Sequence, residues 1–296
     1  MAEISRFCQW GVRVRFDAYK ASLPGGTDAH QVINYLALQN PDGELIEARP
    51  RFGYEACTSL RDDAGDRWAD VLHGGSNGVL VEASGEHTPQ VVDLVREAWP
   101  VHACTRADVC RDIVVDDRGL FDRIAPRLDK LVSAHGRVKA NGIIPRVRPE
   151  EGATYVIGSR ASETYFRVYQ KPEQLLSQGL AHKSIRVFLD RWVRVELEAK
   201  PQKDNRLRAC TFEPREFFGL SRIARSVCSE ILETDIEKTS VIDYKSFTTK
   251  QRQRRVMSTQ WGNVLREWKE ELGSWAELGL GIREMLDELA AEKAKR

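Results

Sequence analysis

The chain has 296 residues, of which 42% are hydrophobic and 30% charged, and its formal net charge is +1. This balance is typical of a folded globular protein and excludes a disordered chain, while the low net charge excludes a surface that is basic throughout. The length allows one large domain or two ordinary ones. Because there is no membrane-spanning apolar run and no signal-peptide pattern, a cytoplasmic protein is expected.

Six cysteines and six histidines are dispersed along the chain, and neither type forms a short metal-binding pair. Without a C-x-x-C motif the sequence indicates neither a zinc knuckle nor a disulfide framework. We expect reduced thiols that pack as small hydrophobic side chains. The glycine turns at Gly74-Gly75 and Gly158 match no phosphate-binding loop motif, so an ATP-driven activity is not indicated.

Strand and helix patterns alternate over the first two-thirds of the chain. Period-two alternation predicts a strand over 9–17, whereas residues 29–39 fit a short helix or a strand equally well. A strand over 78–85 precedes a helix that begins at Thr88-Pro89. The elements predicted next are a strand over 101–115, an amphipathic helix from Leu120 that Gly136 closes, strands near 153–157 and 164–171, a helix from Pro172 and a strand over 191–199.

The pattern becomes helical from about residue 212. We therefore predict an α+β fold, with an antiparallel-rich central sheet and flanking helices over residues 1–204, followed by a helical C-terminal region over 205–296 that binds DNA or self-associates. A basic stretch in this region either binds phosphate groups of DNA or is the solvent-exposed start of a helix. Its cations include Lys250, Arg252, Arg254 and Arg255. Three tryptophans recur every seven residues, at Trp261, Trp268 and Trp275. This spacing favours a helical core or a self-association seam over base stacking.

The strand over 101–115 separates two sets of side chains. The set expected in the core is Val101, Ala103, Thr105, Ala107 and Val109. The set on the opposite face is His102, Cys104, Arg106, Asp108, Cys110 and Asp112. Two carboxylates and an arginine on one face suit a hard divalent cation beside a phosphate, and an exposed face with ordinary ion pairs is the alternative.

The strand over 164–171 places Tyr165, Arg167, Tyr169 and Lys171 on one face. The two cations are expected to favour the phenolate form of Tyr169 and to bind phosphate. A tyrosine that attacks a phosphodiester needs this environment, although strands are rich in tyrosine in any case.

The strand over 191–199 places Arg194, Glu196 and Glu198 on one face. Two glutamates at this spacing can bind a metal ion or act as a general base, and a solvated strand face is the alternative. Together the three strands present the kinds of side chain that can act as acid, base and nucleophile.

These segments, in order and spacing, resemble the Rep_trans family over roughly residues 78–200. The segments are Thr-Arg-Ala-Asp-Val-Cys-Arg-Asp from Thr105, Ala153–Ser162 running into Phe-Arg-Val-Tyr-Gln-Lys, and Trp-Val-Arg-Val-Glu-Leu-Glu from Trp192. The family contains rolling-circle plasmid initiators, filamentous-phage replication proteins and some conjugative-element relaxases.

The resemblance implies that Tyr169 nicks one DNA strand, stays bound to the 5′-phosphate and leaves a 3′-hydroxyl for a polymerase. It implies Mg²⁺ or Mn²⁺, for which Asp108 and Glu196 match the acidic positions of the flanking motifs, with Asp112 and Glu198 as further ligands. The cations that would serve the scissile phosphate or hold the carboxylates are Arg106, Arg167, Lys171 and Arg194.

Better-known nickases bind metal through a His-x-His motif, which this chain lacks. Carboxylates should therefore dominate any metal site, with His102 at most a helper. The expected partners are double- and single-stranded origin DNA, a host helicase and a polymerase. The helical tail allows a homodimer, and no membrane partner is expected.

Four alternatives stay open at this level. Tyr165 shares a face with Tyr169 and could be the nucleophile instead. A conjugative relaxase would have the same active site. A DNA-binding regulator would keep the fold without the chemistry, and a hydrolytic nuclease would use water.

Overall fold

The computed structural model describes residues 13–75, 78–136, 140–144, 152–177, 179, 183–233 and 264–294. The chain divides into two compact units, residues 1–241 and 242–296. The strands of the first unit are β1 (Arg15–Ser22), β2 (Glu44–Glu47), β3 (Ala56–Arg61), β4 (Arg67–His73), β5 (Leu80–Ser84), β6 (Ala103–Val114), β7 (Ala140–Ile144), β8 (Thr154–Ile157), β9 (Thr164–Gln170) and β10 (Trp192–Ala199). Its described helices are α1 (Ala29–Leu38), α2 (Thr88–Ala98), α3 (Leu120–Ala134), α4 (Lys171–Ser177), α5 (Asn205–Ala209) and α6 (Arg222–Ile231), with 3₁₀ helices over Lys183–Phe188 and Pro214–Leu220.

The strands form one ten-stranded sheet in the order β2-β3-β4-β5-β1-β6-β10-β9-β8-β7. Every neighbouring pair is antiparallel. This confirms the predicted α+β fold with an antiparallel central sheet. Strands β2 to β5 and β7 to β9 are sequential neighbours, because antiparallel strands need only short connections. The three central strands β1, β6 and β10 instead come from distant parts of the chain.

One face of the sheet carries the hydrophobic core of the first unit. Helix α6 shows why its partners lie there, since Ile223, Val227 and Ile231 recur at helical spacing and are all buried. Phe217, in the 3₁₀ helix before it, is fully buried, and its ring meets Phe16 of β1 edge-on at 5.8 Å between centroids. The core therefore extends from the central strands to the last helices of this unit.

The predicted domain boundary near residue 205 is wrong. Residues 205–231 contribute to the same core as the sheet, and the first compact unit ends at residue 241. Periodicity reveals that a helix has an apolar side, but it does not identify the surface that covers this side. Here the sheet covers it.

Four strands escaped prediction, namely β2, β3, β4 and β7. Strand β2 is exposed at all four positions, and β4 is buried at five consecutive positions, so neither shows a half-buried alternation. The segment that fitted a helix or a strand forms helix α1 (Ala29–Leu38), which Asp28 caps by accepting a hydrogen bond from the backbone N–H of His30 at 2.8 Å. Strand β1 begins at Arg15 and continues to Ser22, while the start of the predicted strand lies outside the described residues.

The second unit contains α7 (residues 264–272) and α8 (Trp275–Ala294), joined at Gly273 with φ +90°. Gly281 lies against the Trp268 ring, where a Cβ atom would be 3.4 Å from it. Trp275 is 60% exposed and does not form core within this unit, whereas Trp261 and the basic residues Lys250, Arg252, Arg254 and Arg255 lie outside the described residues. In the part of the chain that is described, no helix has both the length and the apolar composition to cross a bilayer.

If residues 205–231 complete the core, Phe217→Ala will lower the free energy of unfolding by about 3–5 kcal/mol, because the cavity lies between the sheet and its helices. Leu207→Ala is the control, since Leu207 is 54% exposed, and should change stability by no more than about 0.5 kcal/mol. Urea unfolding of the full chain measures both. Equal effects of the two substitutions would contradict the packing described here.

Candidate active site

Strand β10 pairs with β6 on one side and with β9 on the other, and the three strands present polar side chains opposite the hydrophobic core. The register aligns three cross-strand rows: Asp108–Glu198–Tyr165, Cys110–Glu196–Arg167 and Asp112–Arg194–Tyr169. Opposite side chains in such a sheet have Cβ atoms about 5 Å apart. The structure thus brings the three predicted motifs together on one face.

Glu196 is the carboxylate that contacts the candidate nucleophile. The hydroxyl of Tyr169 donates a hydrogen bond to Oε2 of Glu196 at 3.0 Å, and the guanidinium of Arg167 contacts Oε1. Glu196 is only 3% exposed. Burial, with help from Asp17 and Asp108, raises its pKa although Arg167 opposes this shift. Glu196 is therefore placed and disposed to accept a proton from Tyr169.

Asp108 and Glu198 form a second, adjacent pair of carboxylates. Arg106 binds Asp108 through both oxygens, at 2.7 and 2.5 Å, and reaches Glu198 at 2.9 Å. Lys200 binds the other oxygen of Glu198 at 2.6 Å. Burial raises the pKa of Asp108. Burial also acts to raise the pKa of Glu198, but the hydrogen bond from Lys200 and the nearby cations leave it below its usual value.

Asp112 has a different role from the one predicted for it. Arg194 is 4% exposed and donates to both Asp112 oxygens, at 2.8 and 2.9 Å. Trp192 and Arg15 donate to the same oxygens at 2.9 and 3.2 Å. With its oxygens occupied in this way, Asp112 does not fit the predicted role of metal ligand. It orients Arg194, whose remaining nitrogen donates to Asp17 at 3.0 Å.

Tyr169 does not have the electrostatic environment that the sequence suggested. Its side chain is 7% exposed, and burial together with Glu196 raises its pKa above the usual value, while Arg194 opposes this shift. The expectation that neighbouring cations make the phenolate the favoured form is therefore wrong, because burial outweighs the effect of the cations. Alternation placed Arg167 on the same face correctly, but Arg167 pairs with Glu196.

Lys171 lies at the start of α4 beside the same tyrosine. Its Nζ is 5.9 Å from the centroid of the Tyr169 ring and donates to Gln174 at 2.7 Å. Burial and the charge of Arg194 lower its pKa to about 8. Lys171 is therefore expected to lose its charge as pH rises through about 8.

Tyr165, the rival nucleophile, lies on the same face opposite Glu198. Both tyrosines are equally buried at 7% exposure. In the described part of the chain, the Tyr169 hydroxyl donates a hydrogen bond to a carboxylate of this face, and the Tyr165 hydroxyl does not. Geometry therefore favours Tyr169.

Two irregularities in the pairing of β1 with β6 decide which side chains face the site. Phe16 pairs with Val109 but Ala18 with Asp108, so Asp17 is an extra residue in β1, a β-bulge. The bulge directs Asp17 toward Arg194 and Cys110. Its signal in the sequence was its place among the polar residues of the first predicted strand, which carried no recognisable motif.

The second bulge lies in β6, where Lys20 pairs with Arg106 but Ala21 with Cys104, leaving Thr105 as the extra residue. Cys104 consequently joins the core, contrary to the alternation predicted for it. His102 is 1% exposed and its Nε2 bonds the hydroxyl of Tyr19, also in the core. His102 is therefore a structural residue rather than a metal helper.

The carboxylates Asp108, Glu196 and Glu198 have the donor chemistry that Mg²⁺ or Mn²⁺ prefers. In the described ranges, however, no group of three His, Cys, Asp or Glu side chains is arranged to hold a metal ion. Each carboxylate is instead paired with an arginine or lysine. The side chains as they stand do not form a metal site, and an ion would have to replace one of these cations.

A polar sheet face with a tyrosine, a carboxylate and several arginines defines a candidate phosphodiester-binding site, and comparison with known proteins places the chain more narrowly. The model of the Rep_trans family, described as replication initiation factor, matches residues 103–272. The chain belongs to this family. The matched range includes all three motifs of the site, which confirms the resemblance seen in the sequence.

The chain is also similar to the solved structure of a rolling circle replication initiator protein from Geobacillus stearothermophilus, with 17% identity and a TM-score of 0.48. The match covers 76% of this chain and 98% of the other. No protein with a curated description matches the chain in sequence.

Arg194→Leu should lower the free energy of unfolding by about 3–5 kcal/mol, because it leaves the buried Asp112 without its main partner. Burial raises the pKa of Asp112 and its hydrogen bonds from Arg194 lower it, with a net decrease in the intact protein. The stability that this pair contributes is present above the unfolded-state pKa of Asp112 and is lost as pH falls through the folded-state pKa.

Guanidinium unfolding at several pH values measures this difference, with Arg186→Leu as control because Arg186 is exposed. The gap between wild type and Arg194→Leu should narrow in acid. A gap that stays constant with pH would show that Arg194 does not stabilise the protein through Asp112.

Proposed function

We propose that this protein is a rolling-circle replication initiator that nicks and rejoins one strand of origin DNA through a phosphotyrosine link on Tyr169. The observation that carries this proposal is the 3.0 Å hydrogen bond from Tyr169 to the buried carboxylate Glu196, on a face lined by cations. Membership of the replication initiation factor family supports the initiator role.

In the proposed reaction Glu196 takes the proton of Tyr169, and the phenolic oxygen forms a bond to the scissile phosphorus. The bond from phosphorus to the 3′ oxygen breaks, and this oxygen takes a proton from water, which leaves a 3′-hydroxyl and a protein-bound 5′-phosphate. An incoming phosphate would compete with Glu196 for Arg167, which frees the carboxylate to act as base. Arg194 and Lys171 would stabilise the charge that develops on the phosphoryl oxygens.

The phosphotyrosine link conserves the phosphodiester bond, so the same groups can rejoin the strand. The 3′-hydroxyl suits extension by a host polymerase, and since the chain shows no ATP-binding loop motif, a separate helicase would unwind the origin. These partners, and a cytoplasmic location, belong to the proposal.

The family resemblance implies Mg²⁺ or Mn²⁺, and such an ion would polarise the scissile phosphate when bound. Asp108, Glu196 and Glu198 are the carboxylates that would have to exchange an arginine or lysine for it. No step above depends on the ion.

The decisive experiment incubates supercoiled DNA carrying the cognate origin with the protein and Mg²⁺, and then isolates any protein–DNA adduct. We expect a covalent adduct at a tyrosine, with Tyr169→Phe lowering its yield by at least about 100-fold, since the Tyr169 hydroxyl donates to the carboxylate of Glu196, the proposed base. Tyr165→Phe is the matched control, equally buried on the same strand, and should keep most of the activity.

An adduct that survives Tyr169→Phe but not Tyr165→Phe would assign the nucleophile to Tyr165. Free 5′-phosphate ends without an adduct would indicate a hydrolytic nuclease. Specific duplex binding without any cleavage would indicate a regulator. A parallel reaction in EDTA tests the metal requirement.

The lowered pKa of Lys171, about 8, predicts a pH dependence. Its cation is present below this value and is lost as pH rises through it, so its stabilisation of the phosphoryl charge should disappear above about pH 8. Lys171→Arg keeps its charge throughout this range. The ratio of wild-type to Lys171→Arg kcat/KM, measured from pH 6 to 9.5, should therefore fall above pH 8, and a flat ratio would exclude this role.

A further inference from the structure

A second group of charged side chains lies on the polar face, several strands away from Tyr169. Lys20 of β1 binds Glu82 of β5 at 2.9 Å. Arg51 binds Asp70 of β4 at 2.5 Å and Glu82 through Nε at 3.1 Å, while Arg67 reaches Asp70 at 3.2 Å. Three cations thus surround two carboxylates. The group has a net positive charge, and the active-site proposal makes no use of it.

The ring of Phe52 lies against two cations of this group, Lys20 and Arg51. Its side chain is 57% exposed, although a phenylalanine in a folded protein is normally buried. The ammonium of Lys20 lies 3.8 Å from the ring centroid, and the guanidinium carbon of Arg51 lies 5.6 Å from it. The Lys20 ammonium therefore covers part of one ring face, and the exposed remainder of the ring offers an apolar surface next to two cations.

The backbone at Phe52 is unusual as well. Its φ is +58°, in the left-handed region that bulky side chains rarely adopt, and Gly53 follows with φ +81°. Such a conformation persists only where the surroundings enforce it, and it is most common at functional sites. Here it holds the ring against Lys20.

The Phe52 group and the candidate active site belong to the same sheet face. Register places Glu82 opposite Lys20 and Lys20 opposite Arg106, and Arg106 binds Asp108 of the active site. Three strand spacings and a six-residue offset separate Lys20 from Tyr169, which corresponds to about 24 Å. A DNA strand with a rise of 3.4 Å per nucleotide spans this with about seven nucleotides, and an extended strand needs fewer.

We propose that Phe52, with Arg51 and Lys20, is a subsite for single-stranded DNA that flanks the scissile phosphate. One base stacks on the Phe52 ring, and the adjoining phosphate takes the excess positive charge of the group. Base stacking on an aromatic ring beside cations is the general way in which proteins bind single strands without reading their sequence. The DNA strand as ligand rests on the proposed nicking function.

The test uses fluorescein-labelled dT20 and an abasic 20-mer with the same number of phosphates, bound to the full chain without divalent cation. Because stacking tolerates any base, no origin sequence is needed. We expect the wild type to bind dT20 more tightly than the abasic strand. Phe52→Ala should weaken dT20 binding by about 5- to 150-fold and change abasic binding little.

Two variants serve as controls. Phe52→Trp keeps an aromatic surface and should bind dT20 within about threefold of wild type, since tryptophan stacks equally well. Leu38→Ala removes an apolar side chain that is 76% exposed on α1 and should leave both affinities unchanged. Circular dichroism melting establishes that each variant is folded.

An unchanged dT20-to-abasic preference in Phe52→Ala would overturn the proposal, as would equal weakening on both strands. Neither measurement involves cleavage. If the Tyr169 adduct is absent while Phe52→Ala still loses the preference, the nicking function fails and the subsite stands. If the adduct forms and the preference persists, the subsite alone fails.

Discussion

Charges buried in a sheet face are tolerated only when each has a partner, and this requirement organises the polar face of the protein. Arg194 has the most buried guanidinium of the candidate site, with its nitrogens divided between Asp112 and Asp17. Asp112 and Asp17 therefore hold Arg194 in place. The carboxylate next to Tyr169 is then Glu196. Among the described residues, the cation that forms an ion pair with Glu196 is Arg167.

The same pairing indicates how the site would change on binding a phosphate of the proposed DNA substrate. Arg106, Arg167 and Lys200 neutralise the carboxylates of this face, and all three are only partly buried. A phosphate offers these cations an alternative partner, and an arginine that turns toward it leaves a carboxylate uncompensated. Such a carboxylate binds either a proton or a metal ion more strongly. Because burial raises the pKa of Tyr169, the proposed nucleophile would depend on this exchange of partners for its activation.

Strand β1 connects the two halves of the polar face. It pairs with β5, beside which the Phe52 group lies, and with β6, which carries Asp108. Its bulge at Asp17 contributes a carboxylate to the candidate active site, and Lys20, three residues further along, belongs to the Phe52 group. An antiparallel sheet with one face left to polar side chains can present such an extended surface, because helices α1, α2, α3 and α6 pack into the core on the other face.

The sequence by itself determined the fold class, most of the central strands and the composition of the site, because period-two alternation and three spaced motifs are local properties. Tyr169, Arg167, Glu196 and Glu198 were placed on the correct faces for this reason. It could not reveal the exposed strand β2 or the evenly buried strand β4, which lack alternation, nor that residues 205–231 complete the core. Only the tertiary structure decided which side chains meet: the bulge at Thr105 turned Cys104 into the core, because a single extra residue reverses every face beyond it, and the bulge at Asp17 brought this carboxylate to Arg194. It also decided the electrostatics, since burial, which no local pattern reports, raised the pKa of Tyr169 where its neighbours in sequence suggested the opposite.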